Sequence, residues 1–243
     1  MEDLIRHLVR NAKIHLQHTA DSKSLKFMLY RILHIVNRRI KLPHVLFYAD
    51  YSQRYEAFLE PYMIPKNAGC IIDVGANIGQ WTSYFSDRGM VIHAFEPAPR
   101  IYTLLQKQFK GKDNIHIHSC ALGEDHYLGK LKVHKHSGSN SLVCVTESFT
   151  GKEVAVQVRT LDSFHFRNVG LIKIDTEGYE IPVLLGAKET IQASHPRLII
   201  ETHLDYIDQK EKIVSLLEHY GYTWKLIYRP SGSKPHIIGD HIT

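Results

Sequence analysis

The residues with the clearest chemical potential lie in a glycine-containing stretch, Asp73 to Gly79, and at an acidic residue further along, Glu96. The stretch follows the apolar residues Cys70 to Ile72, and Glu96 ends the next apolar run, which begins at Met90. A strand, a glycine turn, a helix, a second strand and an acid in this order predict a βαβ unit that binds a nucleoside. The Glu96 carboxylate could accept two hydrogen bonds from the vicinal hydroxyls of a ribose. An ordinary βαβ turn with an incidental acid is the alternative.

The spacing within the turn separates two classes of nucleoside ligand. A dinucleotide-binding turn needs a second glycine where this chain has Asn77, because the pyrophosphate approaches the backbone there. Asn77 therefore disfavours NAD and FAD. Asp73 at the end of the first strand suits a cation, and the methionine part of S-adenosylmethionine carries an ammonium and a sulfonium. We expect S-adenosylmethionine, with contacts from Asp73, Gly75, Ala76, Asn77, Gly79 and Glu96.

A second group of acidic residues, Asp175, Glu177 and Glu180, follows a predicted strand. Ligands of open α/β sheets bind at the carboxyl edge of the strands, where this group would lie. Lys173 precedes Asp175 by two residues and therefore shares its face of the strand. A lysine on a buried parallel strand needs a partner, and we expect Glu180 or Glu201 to provide it.

The elements that position these residues can be predicted from residue 70 onward. Strands are expected at 70–74, 90–95, 115–119, 171–174, 197–201, 223–228 and 236–239, and helices at 80–87, 98–109, 180–193 and 208–219. Repeated β-then-α units predict an α/β fold with a mostly parallel twisted sheet and helices on both faces. The segments 131–134 and 154–158 alternate instead, which predicts an inserted hairpin with a mobile polar tip at 137–141. The tip either closes over a substrate or has no role.

Positive charge is concentrated at the start of the 243-residue chain. Residues 1–41 hold nine Lys and Arg and three acidic residues, a net charge of +6, whereas the whole chain carries +5. Apolar spacing predicts amphipathic helices in residues 1–45, which would pack on the domain or lie on an anionic membrane surface. We therefore divide the chain into a basic helical extension, residues 1–50, and an α/β domain, residues 51–243.

The three cysteines, Cys70, Cys120 and Cys144, show neither metal spacing nor a disulfide framework, which favours a reducing compartment. No uninterrupted apolar run approaches the ~20 residues of a transmembrane helix, and the N-terminus lacks the apolar centre of a signal peptide. These observations predict a cytoplasmic protein, with peripheral membrane contact through residues 1–45 left open.

Seven short motifs occur in the order found in FkbM-type methyltransferases: Asp73–Gly79, Phe95–Pro97, Ala121–Gly123, Thr160–Asp162, Lys173–Glu180, Leu184–Ala187 and Ile200–Glu201. The chain resembles this family over about residues 54–205, and the Lys173–Glu180 segment is the specific signature. The resemblance implies a class I methyltransferase (Rossmann-like) fold, S-adenosylmethionine as methyl donor, and O-methylation of sugar or polyketide hydroxyls. It also implies that Asp73 and Gly75 line the methionine and ribose part of the site, with Ala121 and Leu122 near the adenine.

Methyl transfer to oxygen requires an aligned acceptor and benefits from a base that removes the hydroxyl proton. Asp175 is expected beside the cofactor. The base is expected to be Glu177 or His203, since a histidine side chain titrates near neutral pH.

A metal-assisted reaction is disfavoured, because the strand that ends at Glu201 lacks the additional oxygen ligands that such a site needs. Two pairs of histidines at i, i+2 spacing could suggest zinc: His116 with His118, and His134 with His136. We expect each pair to decorate an exposed strand face and expect no bound metal.

The expected partner is a small-molecule or glycan acceptor, and nothing in the sequence predicts the oligomeric state. The rival functions are a nucleotide-dependent oxidoreductase, which Asn77 disfavours, and a non-catalytic binding protein that retains the fold. A nucleic-acid substrate is disfavoured because the chain after residue 41 has a net charge of −1 and lacks a phosphate-binding footprint.

Overall fold

The computed structural model describes residues 57–63, 65–67, 69–135, 140–143, 149–202, 208–228 and 235–242. The helices predicted in residues 1–45, the domain boundary near residue 50 and His203 lie outside the described residues. Among the helices within those ranges, none has both the length and the apolar character needed to cross a membrane.

Within the described residues, ten strands form two sheets: β1 (Cys70–Val74), β2 (Ile92–Phe95), β3 (Ile115–His118), β4 (Ala121–Leu122), β5 (Tyr127–His134), β6 (Phe149–Arg159), β7 (Val169–Ile174), β8 (Arg197–Glu201), β9 (Tyr222–Ile227) and β10 (His236–His241). The larger sheet has seven strands in the order β3-β2-β1-β7-β8-β10-β9. Neighbours are parallel except that β10 is antiparallel to both β8 and β9. The predicted mostly parallel sheet is confirmed, although the reversed direction of β10 was not predicted.

Strand order places a binding position between β1 and β7. From β1 the chain proceeds through β2 to β3 on one side, whereas β7 leads to β8 on the other side. The crossovers leave in opposite directions at this point, so a crevice opens at the carboxyl ends of the two strands. All six residues of β7 are buried, as expected for a central parallel strand covered on both faces.

In the part of the chain that the structure describes, five α-helices cover the large sheet: α1 (Gln80–Ser86), α2 (Pro99–Gln108), α3 (Glu180–Leu185), α4 (Lys188–Ser194) and α5 (Gln209–His219). One core contains Trp81, Phe85 and Leu105 of α1 and α2. A second core contains residues of α3, α4 and α5, such as Val183 and Ile213. These two cores confirm helices on both faces.

The helix predicted at 180–193 is two helices, α3 and α4, separated by Gly186 and Ala187. A Cβ atom on Gly186 would lie 1.9 Å from the carbonyl oxygen of Gly123, so the chain can pass there only without a side chain. The Asp162 carboxylate then accepts hydrogen bonds from the amides at the start of α4, 3.0 Å from Glu189 and 2.8 Å from Thr190. Such capping favours a new helix over a continued one.

The predicted hairpin is present as β5 and β6, which pair antiparallel, and its strands are longer than expected. The short strand β4 adds to β6 in parallel, which the sequence did not indicate. Residues 140–143, which belong to the same insertion, return towards β5, where Lys132 and Ser141 exchange backbone hydrogen bonds of 2.8 and 3.3 Å. We call residues 127–159 the insertion.

Candidate functional site

An open cleft lies at the carboxyl ends of β1, β2 and β7. The strand ends contribute one wall through Gly75, Glu96 and Asp175. The insertion contributes another part of the lining through residues 140–142 and Leu131. The cleft therefore lies where strand order reverses, and a separate sheet borders it.

The glycine turn after β1 has the close approach that its sequence predicts. Gly75 has a φ of +75°, and a Cβ atom there would lie 1.9 Å from the carbonyl oxygen of Asp175. The amides of Gly75 and Ala76 donate to the carbonyl of Phe95 at 3.1 and 3.0 Å. Asn77 follows at a φ of +47°, so the turn continues through a second left-handed residue.

Glu96 is held at the cleft by two backbone amides. Its Oε2 accepts from the amide of Asn77 at 2.9 Å, and its Oε1 accepts from that of Ala98 at 2.8 Å. The residue is 7% exposed. Burial raises the pKa of Glu96 to about 7, although the two amides and the charge of Lys173 lower it. Glu96 thus changes charge close to neutral pH.

Lys173 connects the two strands that flank the cleft. Its Nζ lies 3.3 Å from Asp73 Oδ1 and 3.7 Å from Asp175 Oδ2. It also donates to the carbonyls of Val74 and Gly75, at 3.3 and 3.0 Å. The prediction that Glu180 or Glu201 pairs with Lys173 is wrong. Lys173 instead pairs with Asp73, because the two residues are in register on neighbouring parallel strands. One buried cation therefore fixes both the end of β1 and the first acid after β7.

Glu180 stabilises the loop between β7 and α3 through hydrogen bonds to the backbone of that loop. Its Oε1 accepts from the amides of Thr176 and Gly178 at 3.1 and 3.0 Å, and its Oε2 accepts from Gln209 at 2.5 Å. The side chain is fully buried and does not belong to the described cleft lining. The three acids of this segment therefore differ in role, since Asp175 and Glu177 line the cleft and Glu180 braces the loop. We call residues 175–180 the signature loop.

Of the predicted catalytic residues, Asp175 and Glu177 lie together at the cleft. Glu177 has a φ of +53°, which is unusual for a residue with a side chain. Its carbonyl oxygen accepts from Ser141 Oγ of the insertion at 2.7 Å. The position of His203 is outside the described residues, so its part in the site stays a prediction.

Five of the predicted cofactor residues line the cleft: Gly75, Asn77, Glu96, Ala121 and Leu122. Within the described lining, Asp73, Ala76 and Gly79 do not appear. Asp73 is fully buried, where it accepts from Thr82 Oγ1 at 2.7 Å. Ala76 belongs to the core, and a Cβ atom on Gly79 would lie 2.6 Å from the Phe109 ring. These three residues shape the turn from behind.

Several lining residues were not predicted, and four of them come from the insertion: Leu131, Asn140, Ser141 and Leu142. Tyr179 of the signature loop was also not predicted. The only sequence signal was the polar run 137–141, which was interpreted as a hairpin tip. Tyr179 Oη lies 2.6 Å from Tyr127 Oη, so a second contact joins the signature loop to the insertion.

The prediction that the histidine pairs decorate exposed faces holds for His116, which is exposed, but not for its partner His118, which is half-buried and stacks on Phe95. His134 is buried, and His136 lies outside the described residues. Burial lowers the pKa of His118 to about 4, with help from the charges of His116 and Arg159, so its ring is neutral at physiological pH. In the described parts of the chain, no group of three or more His, Cys, Asp and Glu side chains could hold a metal ion.

Comparison with known proteins gives consistent similarities. A family model described as the methyltransferase FkbM domain matches residues 73–223. "Methyltransferase 1" of Beauveria bassiana (strain ARSEF 2860) is 28% identical over 194 residues, which cover 68% of this chain and 76% of that protein. The crystal structure of methyltransferase FkbM from Methylobacillus flagellatus KT has a TM-score of 0.52 and 21% identity, and covers 70% of this chain. The chain spans 43% of the length of that solved structure.

Proposed function

The chain belongs to the methyltransferase FkbM domain family, and from this membership we propose that it transfers a methyl group from S-adenosylmethionine to a hydroxyl oxygen. The proposed acceptor is a sugar, a glycan or a related secondary metabolite. The observation that carries the proposal is that one cleft contains both Glu96 at the glycine turn and the acids Asp175 and Glu177. Methyl transfer needs a donor site and an acceptor-activating group within reach of each other.

The residues on the strand side of the cleft fit an adenosyl group. A carboxylate has about four lone-pair sites, and two amides occupy only part of the capacity of Glu96. Asn77 Oδ1 is buried and has no hydrogen-bond partner among the described residues, so it can accept from a ligand. The neighbouring lining is apolar at Ala121 and Leu122, which suits an adenine ring.

When bound, S-adenosylmethionine supplies an electrophilic methyl carbon on a sulfonium. Asp73, Lys173 and Asp175 together carry one net negative charge beneath the cleft, which favours a cationic ligand. Glu96 would hold the ribose hydroxyls in its ionised form. Glu177, or His203 as the alternative, would accept the proton of the acceptor hydroxyl.

Isothermal calorimetry with S-adenosylmethionine, S-adenosylhomocysteine and NAD tests the donor. We expect both adenosyl compounds to bind and NAD not to bind. Binding of NAD without either adenosyl compound would favour the oxidoreductase alternative and overturn the proposal.

Incorporation of labelled methyl groups tests the acceptor, with a panel of free sugars, oligosaccharides and polyketide alcohols. We expect incorporation into at least one hydroxylated compound, as a base-stable methyl ether. Adenosyl binding without any transfer across the panel would favour the non-catalytic alternative.

We also propose that the basic residues of segment 1–41 bring the protein to anionic membranes. The support is the segregation of charge, +6 in this segment against −1 in the remaining chain. Flotation with liposomes of anionic and of neutral lipid tests it. Equal recovery of the full chain with both liposomes would contradict it.

A further inference from the structure

One hydroxyl group joins the insertion to the signature loop. Ser141 is 1% exposed, and its Oγ donates to the carbonyl oxygen of Glu177 at 2.7 Å. The same Oγ accepts from the amide of Val143 at 3.1 Å. The two hydrogen bonds fix the direction of the hydroxyl, so the contact spans 36 residues of sequence with a defined geometry.

Glu177 is a residue for which such a restraint matters. Its φ of +53° lies in the left-handed region, which a side chain disfavours, and Gly178 follows at +103°. Conformations of this kind persist only when the surroundings hold them in place. Glu180 holds the loop on one side through the amides of Thr176 and Gly178, and Ser141 holds the Glu177 carbonyl on the other.

Ser141 is itself attached firmly to the insertion. Its amide and carbonyl pair with Lys132 of β5 at 3.3 and 2.8 Å. Both Ser141 and Glu177 line the cleft, as does the neighbouring Asn140. The side chain of Ser141 therefore connects the backbone of the insertion to the backbone of an acid in the cleft.

We propose that Ser141 is a positioning residue for Glu177, so that the insertion determines where the Glu177 carboxylate lies beside the donor methyl group. The inference rests on the proposed function for the identity of the donor. The restraint on the backbone of Glu177 is independent of that identity, and the two are measured separately.

The insertion offers a matched control in Thr150. Its Oγ1 donates to the carbonyl of Val133 at 2.7 Å and accepts from the amide of Lys152 at 3.3 Å. This arrangement repeats that of Ser141, with a donated bond of the same length and an amide two residues on. Thr150 is exposed and does not belong to the described cleft lining. Ser141→Ala and Thr150→Ala thus remove hydrogen bonds of the same pattern at two places of the same insertion, one buried at the cleft and one exposed.

Amide hydrogen exchange tests the restraint. In Ser141→Ala we expect the amides of residues 176–179 to exchange about tenfold faster, the change expected from one lost hydrogen bond. In Thr150→Ala we expect unchanged exchange in these residues. Unchanged exchange in Ser141→Ala, or an equal increase in both variants, would overturn the proposal.

Two adenosyl compounds test the position of the carboxylate. Sinefungin carries an ammonium where S-adenosylmethionine carries its methyl group, and S-adenosylhomocysteine carries neither. A carboxylate at this place makes sinefungin bind more tightly than S-adenosylhomocysteine. We expect Ser141→Ala to reduce this preference about tenfold and to leave the affinity for S-adenosylhomocysteine unchanged. Thr150→Ala should retain the wild-type preference, which a general loosening of the insertion would not allow.

A double-mutant cycle separates positioning from packing. In the Glu177→Gln background, Ser141→Ala should not reduce the sinefungin preference further, because the carboxylate on which it acts is gone. A full additional loss would overturn the positioning role. If the wild-type chain bound neither adenosyl compound, the proposed function would fail, while the exchange measurement would still decide the restraint.

Discussion

The two sides of the cleft are held by different kinds of interaction. On the proposed donor side, which comprises the end of β1, the glycine turn and Glu96, Lys173 pairs with Asp73 and two backbone amides donate to Glu96. On the proposed acceptor side, which comprises the signature loop and residues 140–142, a hydroxyl contact restrains Glu177 at a positive φ. The donor side is stabilised by buried charge, and the acceptor side by contacts between segments distant in sequence. This contrast suits a common donor bound rigidly and an acceptor site that can change by altering the insertion.

The largest expected effect is a loss of folding stability when the buried ion pairs of the donor side are broken. Replacing Lys173 by Met leaves Asp73 and Asp175 without the cation that lies 3.3 and 3.7 Å from them. Removing one partner of a buried pair strands the other charge, so we expect a loss of about 3–5 kcal/mol in the free energy of unfolding. Urea denaturation followed by circular dichroism measures it.

Lys130 provides the control for this variant, since its 3.8 Å contact with Glu153 is at the surface. Lys130→Met should change the unfolding free energy by no more than about 0.5 kcal/mol. An equal loss of unfolding free energy in both variants would mean that the buried Lys173 contacts stabilise the fold no more than a surface ion pair does.

The next effect concerns ligand binding on the same side. Glu96→Ala removes the acceptor of the Asn77 and Ala98 amides together with the proposed ribose contact. We expect the affinity for S-adenosylhomocysteine to fall about 10- to 100-fold, measured by calorimetry. Glu153→Ala, which removes an exposed acid, should leave the affinity unchanged. Unchanged affinity in Glu96→Ala would remove Glu96 from the donor site.

A third expected effect follows from the pKa of Glu96, which burial raises to about 7. A proton must leave the carboxyl group before both oxygens can accept ribose hydroxyls, so affinity should rise with pH and level off above 7. Between pH 8 and pH 6 we expect an approximately tenfold loss of S-adenosylhomocysteine affinity in the wild type. Glu96→Gln should lose this part of the pH dependence, and an identical profile in both proteins would contradict the assignment.

The same pKa predicts a stability change without ligand. A folded-state pKa raised above the ordinary value of 4.5 means that the folded protein holds the proton more tightly than the unfolded chain does. The stabilisation from Glu96 is therefore fully present below pH 4.5 and is lost as the pH rises to 7. Glu96→Gln should flatten the unfolding free energy across this window.

The donor side could be predicted from sequence because its signals are local. The apolar run, the glycine turn and the acid at the end of β2 follow one another within a single βαβ unit. The partner of Lys173 could not be predicted in this way, because it depends on β7 lying beside β1 in the sheet. The sequence suggested Glu180 or Glu201 as the partner, but Glu180 instead accepts hydrogen bonds from amides of its own loop.

The acceptor side was predicted only in part for a related reason. Asp175 and Glu177 were predicted from their position after a strand, but the insertion residues that line the same cleft were not. Ser141 and Glu177 are 36 residues apart, and neither periodicity nor motif spacing reports such a contact. The burial of His118 was not predicted, because it results from the packing of Phe164 and Phe166, which are distant in sequence, against its ring.

The smallest expected effect concerns the hydrogen bond between Tyr127 and Tyr179, which joins the insertion to the signature loop at the rim of the cleft. Tyr127→Phe removes the hydroxyl that lies 2.6 Å from Tyr179 Oη, in a contact that is exposed to water. Water can replace the lost partner there, so we expect the unfolding free energy to change by less than about 1 kcal/mol and S-adenosylhomocysteine affinity by less than about twofold. Urea denaturation and calorimetry measure these values. A tenfold loss of affinity would mean that the rim contact helps to hold the donor, and that the two sides are less independent than their interactions indicate.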